Sequence, residues 1–241
     1  MPARNVTLLV EGLEVKVTRK SVRTIRIVIE PPEGWVRVSA PHRVGDEEVR
    51  AAVQERLGWI LRHRKRMSER EMPPRLEYVD GEAIRWLGRD LRLRVVEGAK
   101  RNKARIRAEL GIVELALREG ADRAAREAAI EACWRAGLEA ILPGAAGPWE
   151  ERLAVSATAW TVRRMTSRWG SCNTKTGRIC LNLELARRAP ACLEYVIVHE
   201  LAHLKEAGHG PRFKAILDRT MPDWRAREKL LAAEALPRRR R

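Results

Sequence analysis

The stretch that most restricts how this chain can fold is residues 198–213, VHELAHLKEAGHGPRF, where His199 and His203 stand four apart and His209 follows six later. On an α-helix, residues four apart lie about 40° apart around the axis, so the two imidazoles leave one face a turn apart. Val196, Ile197, Val198, Leu201, Ala202 and Leu204 surround them with apolar side chains on nearly every side, which requires a buried helix. Buried imidazoles and a buried carboxylate need partners, and one metal ion supplies a partner for all of them. Gly208-His209-Gly210-Pro211 is expected to stop the helix and turn His209 back to the same ion. Three imidazoles and a water form an open tetrahedral site, the arrangement of catalytic zinc, with one ion expected per chain. Glu200 sits beside the ion, where a carboxylate can take a proton from the water. The bland alternative, surface histidines on an ordinary helix, is weakened because three of the chain's five His fall in this short stretch.

At 241 residues the chain can bury a substantial core. It has no window of 18 consecutive apolar residues, and its first apolar run breaks at Glu11 without a signal-type cleavage region, so a soluble, cytoplasmic protein with no membrane association is expected. Cys133, Cys172, Cys180 and Cys192 form no C-x-x-C pair and are expected to be reduced thiols in or near the core. The net charge of +16 is uneven: residues 160–241 carry 18 Lys/Arg against 8 Asp/Glu, with four of the arginines at 238–241. Such a surface attracts polyanions at low salt, whether or not that is its role.

Residues 4–40 read as a small β-meander with one wet face, with Pro31-Pro32-Glu33-Gly34 as a turn before Trp35. Asp46 is expected to cap a helix with Val49, Val53, Leu57, Ile60 and Leu61 at helical spacing. Strands at 83–87 and 91–96 flank a Leu87-Gly88-Arg89-Asp90 hairpin turn, and residues 105–117 can add another pair. The period changes at Gly120. Residues 122–142 are helical, with Pro143-Gly144 as the expected stop, so a boundary is expected near residue 118. Strands at 160–165 and 178–183, a turn at 174–177, a short helical stretch at 184–188 and closing helices at 213–217 and 225–236 complete the chain. Pro190 opens the metal-bearing helix at its first turn.

Ser167-Arg168-Trp169-Gly170-Ser171-Cys172, Gly177-x-Ile179-x-Leu181-Asn182, Tyr195-Val196, His199-Glu200-Leu201-x-His203-Leu204 and His209-Gly210-x-x-Phe213 together resemble the YgjP-like metallopeptidase family, which is related to SprT-like and Wss-type zinc peptidases. Trp59-Ile60, Tyr78-x-x-Gly81 and Leu87-Gly88 extend the resemblance weakly over the N-terminal half. It implies an α+β fold: a β-rich N-terminal region (1–118) with one amphipathic helix, then a zincin-like catalytic domain (119–241). It implies zinc held by His199, His203 and His209, with Glu200 as general base. The glycine that metzincins place three after the second His is Glu206 here, and no Met-turn is obvious near Met221-Pro222, so the YgjP-like reading is preferred.

The expected activity is zinc-dependent peptide hydrolysis on a peptide or protein substrate, whose backbone can pair with an edge strand near the metal. Asn182, Arg212 and the Trp169 indole stand open as substrate or oxyanion contacts, and Tyr195 reads as core with a hydrogen-bonded hydroxyl. Cys172 has no free catalytic His once three bind zinc. Glu228 is the rival third ligand on a gluzincin reading, and Glu206 is expected to lie still on the helix, a turn from the metal. The alternative is a basic, nucleic-acid-associated protein of SprT-like type that acts on DNA-bound protein or carries an idle zinc site. A structural zinc module would leave Glu200 without a purpose.

Overall fold

The computed structural model describes residues 4–30, 34–68 and 76–233. The expected turn at 31–33, the Pro73-Pro74 break and the arginines at 238–241 lie outside them. The chain divides into two compact units, 1–75 and 76–241.

In the first unit, strands β1 (Arg4–Val10), β2 (Leu13–Arg19), β3 (Arg26–Glu30) and β4 (Trp35–Ala40) form one sheet in the order β1-β2-β4-β3. It is not a meander. β2 and β4 pair in parallel, and β3 returns antiparallel on the far side of β4. Alternation along each strand settles which side chains face inward but carries no information about strand order. Val15, Val17, Val36 and Val38 supply the buried face; Val49 and Val53 of α1 (Asp46–Glu55) and Ile60 of α2 (Leu57–Ser68) join the same core. The N-cap of α1 is Gly45, whose N–H is accepted by the Glu48 carboxylate at 2.8 Å, so Asp46 is the first helical residue rather than the cap. The periodic run splits into two helices at Arg56.

In the second unit, β5 (Ala83–Trp86), β6 (Arg89–Val96), β7 (Lys103–Arg107) and β8 (Ile112–Ala116) make a sheet in the order β5-β6-β8-β7. Its first hairpin turns on Leu87-Gly88, both at positive φ (46° and 77°), as a two-residue turn matched to strand twist requires. Trp86, Leu91, Leu93 and Leu115 lie in one continuous core with Ile197, Val198 and Leu201. That shared core is why the compact units part at 75/76 rather than near 118.

Helix α3 (Arg123–Leu153) begins on Asp122, whose carboxylate accepts the Ala125 N–H at 2.8 Å. It runs through Pro143 and Pro148 instead of stopping at the first. A proline removes one intrahelical hydrogen bond, but neither proline is buried, while Leu138 and Leu142 before Pro143 and Ala146 and Leu153 after it are buried in the same core. Burial on both sides outweighs the local penalty.

A three-stranded sheet comes next: β9 (Ala159–Arg163), β10 (Gly170–Asn173) and β11 (Arg178–Asn182), in the order β10-β11-β9. The hairpin partner of β11 is β10, and β9 lies parallel to β11 on its other side, leaving β10 at an edge. A 3-10 turn (Leu183–Arg187) leads into α4 (Pro190–Ala202), α5 (Pro211–Thr220) and α6 (Trp224–Ala233). No helix among the described residues is long and apolar enough to cross a membrane, and the four cysteines are unpaired, two of them buried.

Candidate metal centre

Helix α4 is apolar around nearly its whole circumference, burying Leu193, Val196, Ile197, Val198, Leu201 and Ala202, and this burial delivers His199, Glu200 and His203 to fixed places. It ends at Ala202, short of the glycines expected to stop it. The Leu204 and Lys205 N–H groups donate to Leu201 and Ala202 carbonyls, each at 3.0 Å, in tight closing turns. Glu206 is therefore off the helix, and its carbonyl lies 3.1 Å from His203 Nδ1. That contact favours the Nδ1–H tautomer and frees Nε2 for a ligand.

The loop after α4 returns His209 to its partners. His199 Nε2 and His209 Nε2 are 3.0 Å apart, and the nitrogens that the three histidines offer all lie within 4.8 Å of one another. A tetrahedral ion with bonds of about 2.0–2.1 Å spaces its ligand nitrogens roughly 3.3 Å apart, close to the 3.0 Å between His199 and His209, so side-chain adjustment alone can bring the set around one such ion. Among the described residues this is the cluster that can hold a metal, and Glu228 is not part of it. Phe213 of α5, 2% exposed, packs against all three imidazoles with centroids 4.6–5.0 Å away. Burial, followed by the neighbouring imidazoles, pulls His199 down to about 4, so its ring is neutral and able to bind a metal at physiological pH.

Glu200 is 5% exposed, and burial pushes its carboxyl up to about 7, opposed by the charge of Arg168. The edge strand β10 lies against it at Gly170. A Cβ there would come within 2.5 Å of Glu200 Oε1, so only glycine allows this approach. These groups line a cleft of about 560 Å³ together with residues 168–172 and with Tyr195, Val196, Glu228, Leu231 and Ala232.

The three expected oxyanion contacts part company. Trp169 lines the cleft, under the Arg188 guanidinium 5.2 Å from its ring. Asn182 is fully buried: its amide donates to the Met165 and Arg168 carbonyls, both at 2.8 Å, and its oxygen accepts from Met165 and Glu184 N–H. Its polar capacity is spent on holding the loop that carries Arg168. Arg212 is exposed on α5 and is not among the residues lining the cleft. Burial and then the Glu200 charge raise the Cys172 thiol, which disfavours a thiolate nucleophile. Tyr195 is 5% exposed and donates to Glu228 Oε1 at 3.1 Å, the hydrogen-bonded core tyrosine that was expected, yet it also lines the cleft. Arg168 is a cleft residue that sequence reasoning did not assign there, although it adjoins Trp169-Gly170, and Glu228, weighed as a rival metal ligand, lines the cleft without joining the histidines.

A family profile described as YgjP-like, metallopeptidase domain, matches residues 23–234. Among solved structures, that of the metallopeptidase zymogen jannalysin of Methanocaldococcus jannaschii matches with 20% identity over 38% of this chain and 94% of that chain, at a TM-score of 0.35. No curated protein matches the sequence.

Proposed function

Because the chain belongs to the YgjP-like metallopeptidase family, we propose that it is a zinc-dependent peptidase with Glu200 as its general base and His199, His203 and His209 as its metal ligands. The observation that carries this reading is the meeting of three imidazoles and one buried carboxyl in the lining of a cleft that also includes the edge strand β10. Zinc bound by these imidazoles supplies Lewis acidity toward a carbonyl and makes a water more acidic.

The chain's own residues supply the rest. An extended substrate backbone adds to the free edge of β10, which positions the peptide bond with little demand on side-chain identity. Glu200, with its carboxyl near 7 before any cation is counted, accepts the proton of the attacking water and hands it to the departing amine. A dication alongside favours the ionised carboxylate, so the base is available at neutral pH. Arg168 and the Trp169 indole N–H are the cleft groups able to meet the developing oxyanion.

The test is a proteome-derived peptide library incubated with wild type and Glu200→Gln, with zinc content measured on both. Zinc near one per chain in each protein and cleavage only by wild type is expected. Cleavage by the variant within about tenfold of wild type would assign the base to another group.

A further inference from the structure

We propose that the α6 side of the cleft is a subsite for a basic substrate side chain, so that cleavage occurs at a fixed position beside lysine or arginine. This rests on the peptidase reading above. Tyr195 and Val196 lie one turn before His199 on α4, and Glu228, Leu231 and Ala232 face the same cleft from α6. The Tyr195 ring is set in place: it meets the His199 ring edge-on at 5.7 Å and stacks on Trp224 at 6.4 Å with planes 7° apart. Its hydroxyl donates a hydrogen bond to Glu228 Oε1, which ties that carboxylate to an aromatic ring in contact with His199.

A tyrosine hydroxyl is a neutral partner, and it satisfies one lone pair of an acceptor-only group. Among the described residues no cation pairs with Glu228. Two arginines of its own helix are committed elsewhere, Arg225 to Asp218 and Arg227 to Asp223 and Glu194. Arg168, the cation lining the cleft, acts on Glu200. The same cleft offers apolar surface from Val196, Leu231 and Ala232. An aliphatic stem ending in a cation fits such a surface: lysine and arginine bury methylenes and present charge at the tip. An acidic side chain entering the same space would be repelled.

Position-resolved cleavage of a randomised peptide library, with uncleaved-peptide binding to Glu200→Gln as a second readout, tests this. Lysine and arginine are expected to be enriched about tenfold over neutral residues at one position in both readouts. Glu228→Gln should abolish the enrichment and Glu228→Lys should turn it toward Asp and Glu, whereas Tyr195→Phe, which keeps the carboxylate, should retain it. Glu228→Gln is close to isosteric and carries the test if the charge reversal does not fold. Cleavage without charge preference, or a preference that survives Glu228→Lys, overturns the subsite and leaves the peptidase reading standing. No cleavage of any peptide by zinc-loaded protein overturns both.

Discussion

The chain builds one strand order twice, as β1-β2-β4-β3 and as β5-β6-β8-β7, each with an antiparallel first hairpin, a parallel central pair and an antiparallel last strand. Both first hairpins turn on two residues at positive φ, Glu11-Gly12 and Leu87-Gly88. The helices packed on the two sheets differ. The first sheet closes on α1 and α2 and completes a small valine-rich core. The second shares its core with α3 and with the helix that bears His199 and His203. Identical topology thus ends once in a self-contained unit and once in a platform for chemistry. The difference lies in the apolar surface that the next helices bring.

Four measurements break or sharpen that contrast. The largest effect is expected for Glu200→Gln, which should lower kcat/KM by at least about a thousandfold while zinc content stays near wild type. Next, His209→Ala should weaken zinc affinity well beyond the roughly 10–100-fold of an outer-shell change, and Glu228→Ala should leave it nearly intact in a competitive titration. The opposite ranking would move the third ligand to α6.

Titration separates the units by a third route. With Glu200 raised to about 7 in the folded, metal-free chain and 4.5 as its ordinary value, the folded state holds the proton more tightly. Stability from this group is then full below 4.5 and falls as pH rises towards 7, by roughly 3 kcal/mol at most. Denaturation of the metal-free protein should show Glu200→Gln gaining on wild type across that window; a flat difference would refute the buried, protonated carboxyl. The smallest effects compare the sheets directly. Leu115→Ala in β8 should cost about 2–5 kcal/mol and lower the unfolding transition that zinc raises. Val38→Ala in β4 should cost less, about 1–3 kcal/mol, and move a transition that ignores zinc. One common transition for both would mean that the two units unfold together.

Much of the site was legible because it is local. His199 and Glu200 lie on a helix that His203 caps and whose apolar surroundings announce burial, and the short Gly-bearing stretch to His209 limits how far that imidazole can stray. The Leu87-Gly88 turn was readable for the same reason, since a φ/ψ demand spans only a few residues, whereas the cap expected at Asp46 falls one residue earlier, on Gly45. Strand order was not readable. Alternation is identical for a meander and for the crossed order found here, and only packing against later helices selects between them.

The roles of Asn182, Arg168 and Glu228 also depend on contacts across long stretches of sequence. Asn182 looked like a substrate contact by residue type, but four hydrogen bonds to a loop 14–17 residues earlier and to Glu184 leave it nothing to offer a ligand. Pro143-Gly144 looked like a stop, and buried side chains on either side kept α3 running through it and through Pro148. By itself, then, the sequence determined the spacing of the three histidines, the acid beside the first of them and the buried character of their helix, because those follow from periodicity and side-chain chemistry within a few turns. Tertiary structure alone decided which sheet supports that helix, which polar groups are spent on the scaffold and which face the cleft, because each depends on free energy gained only when distant segments are packed together.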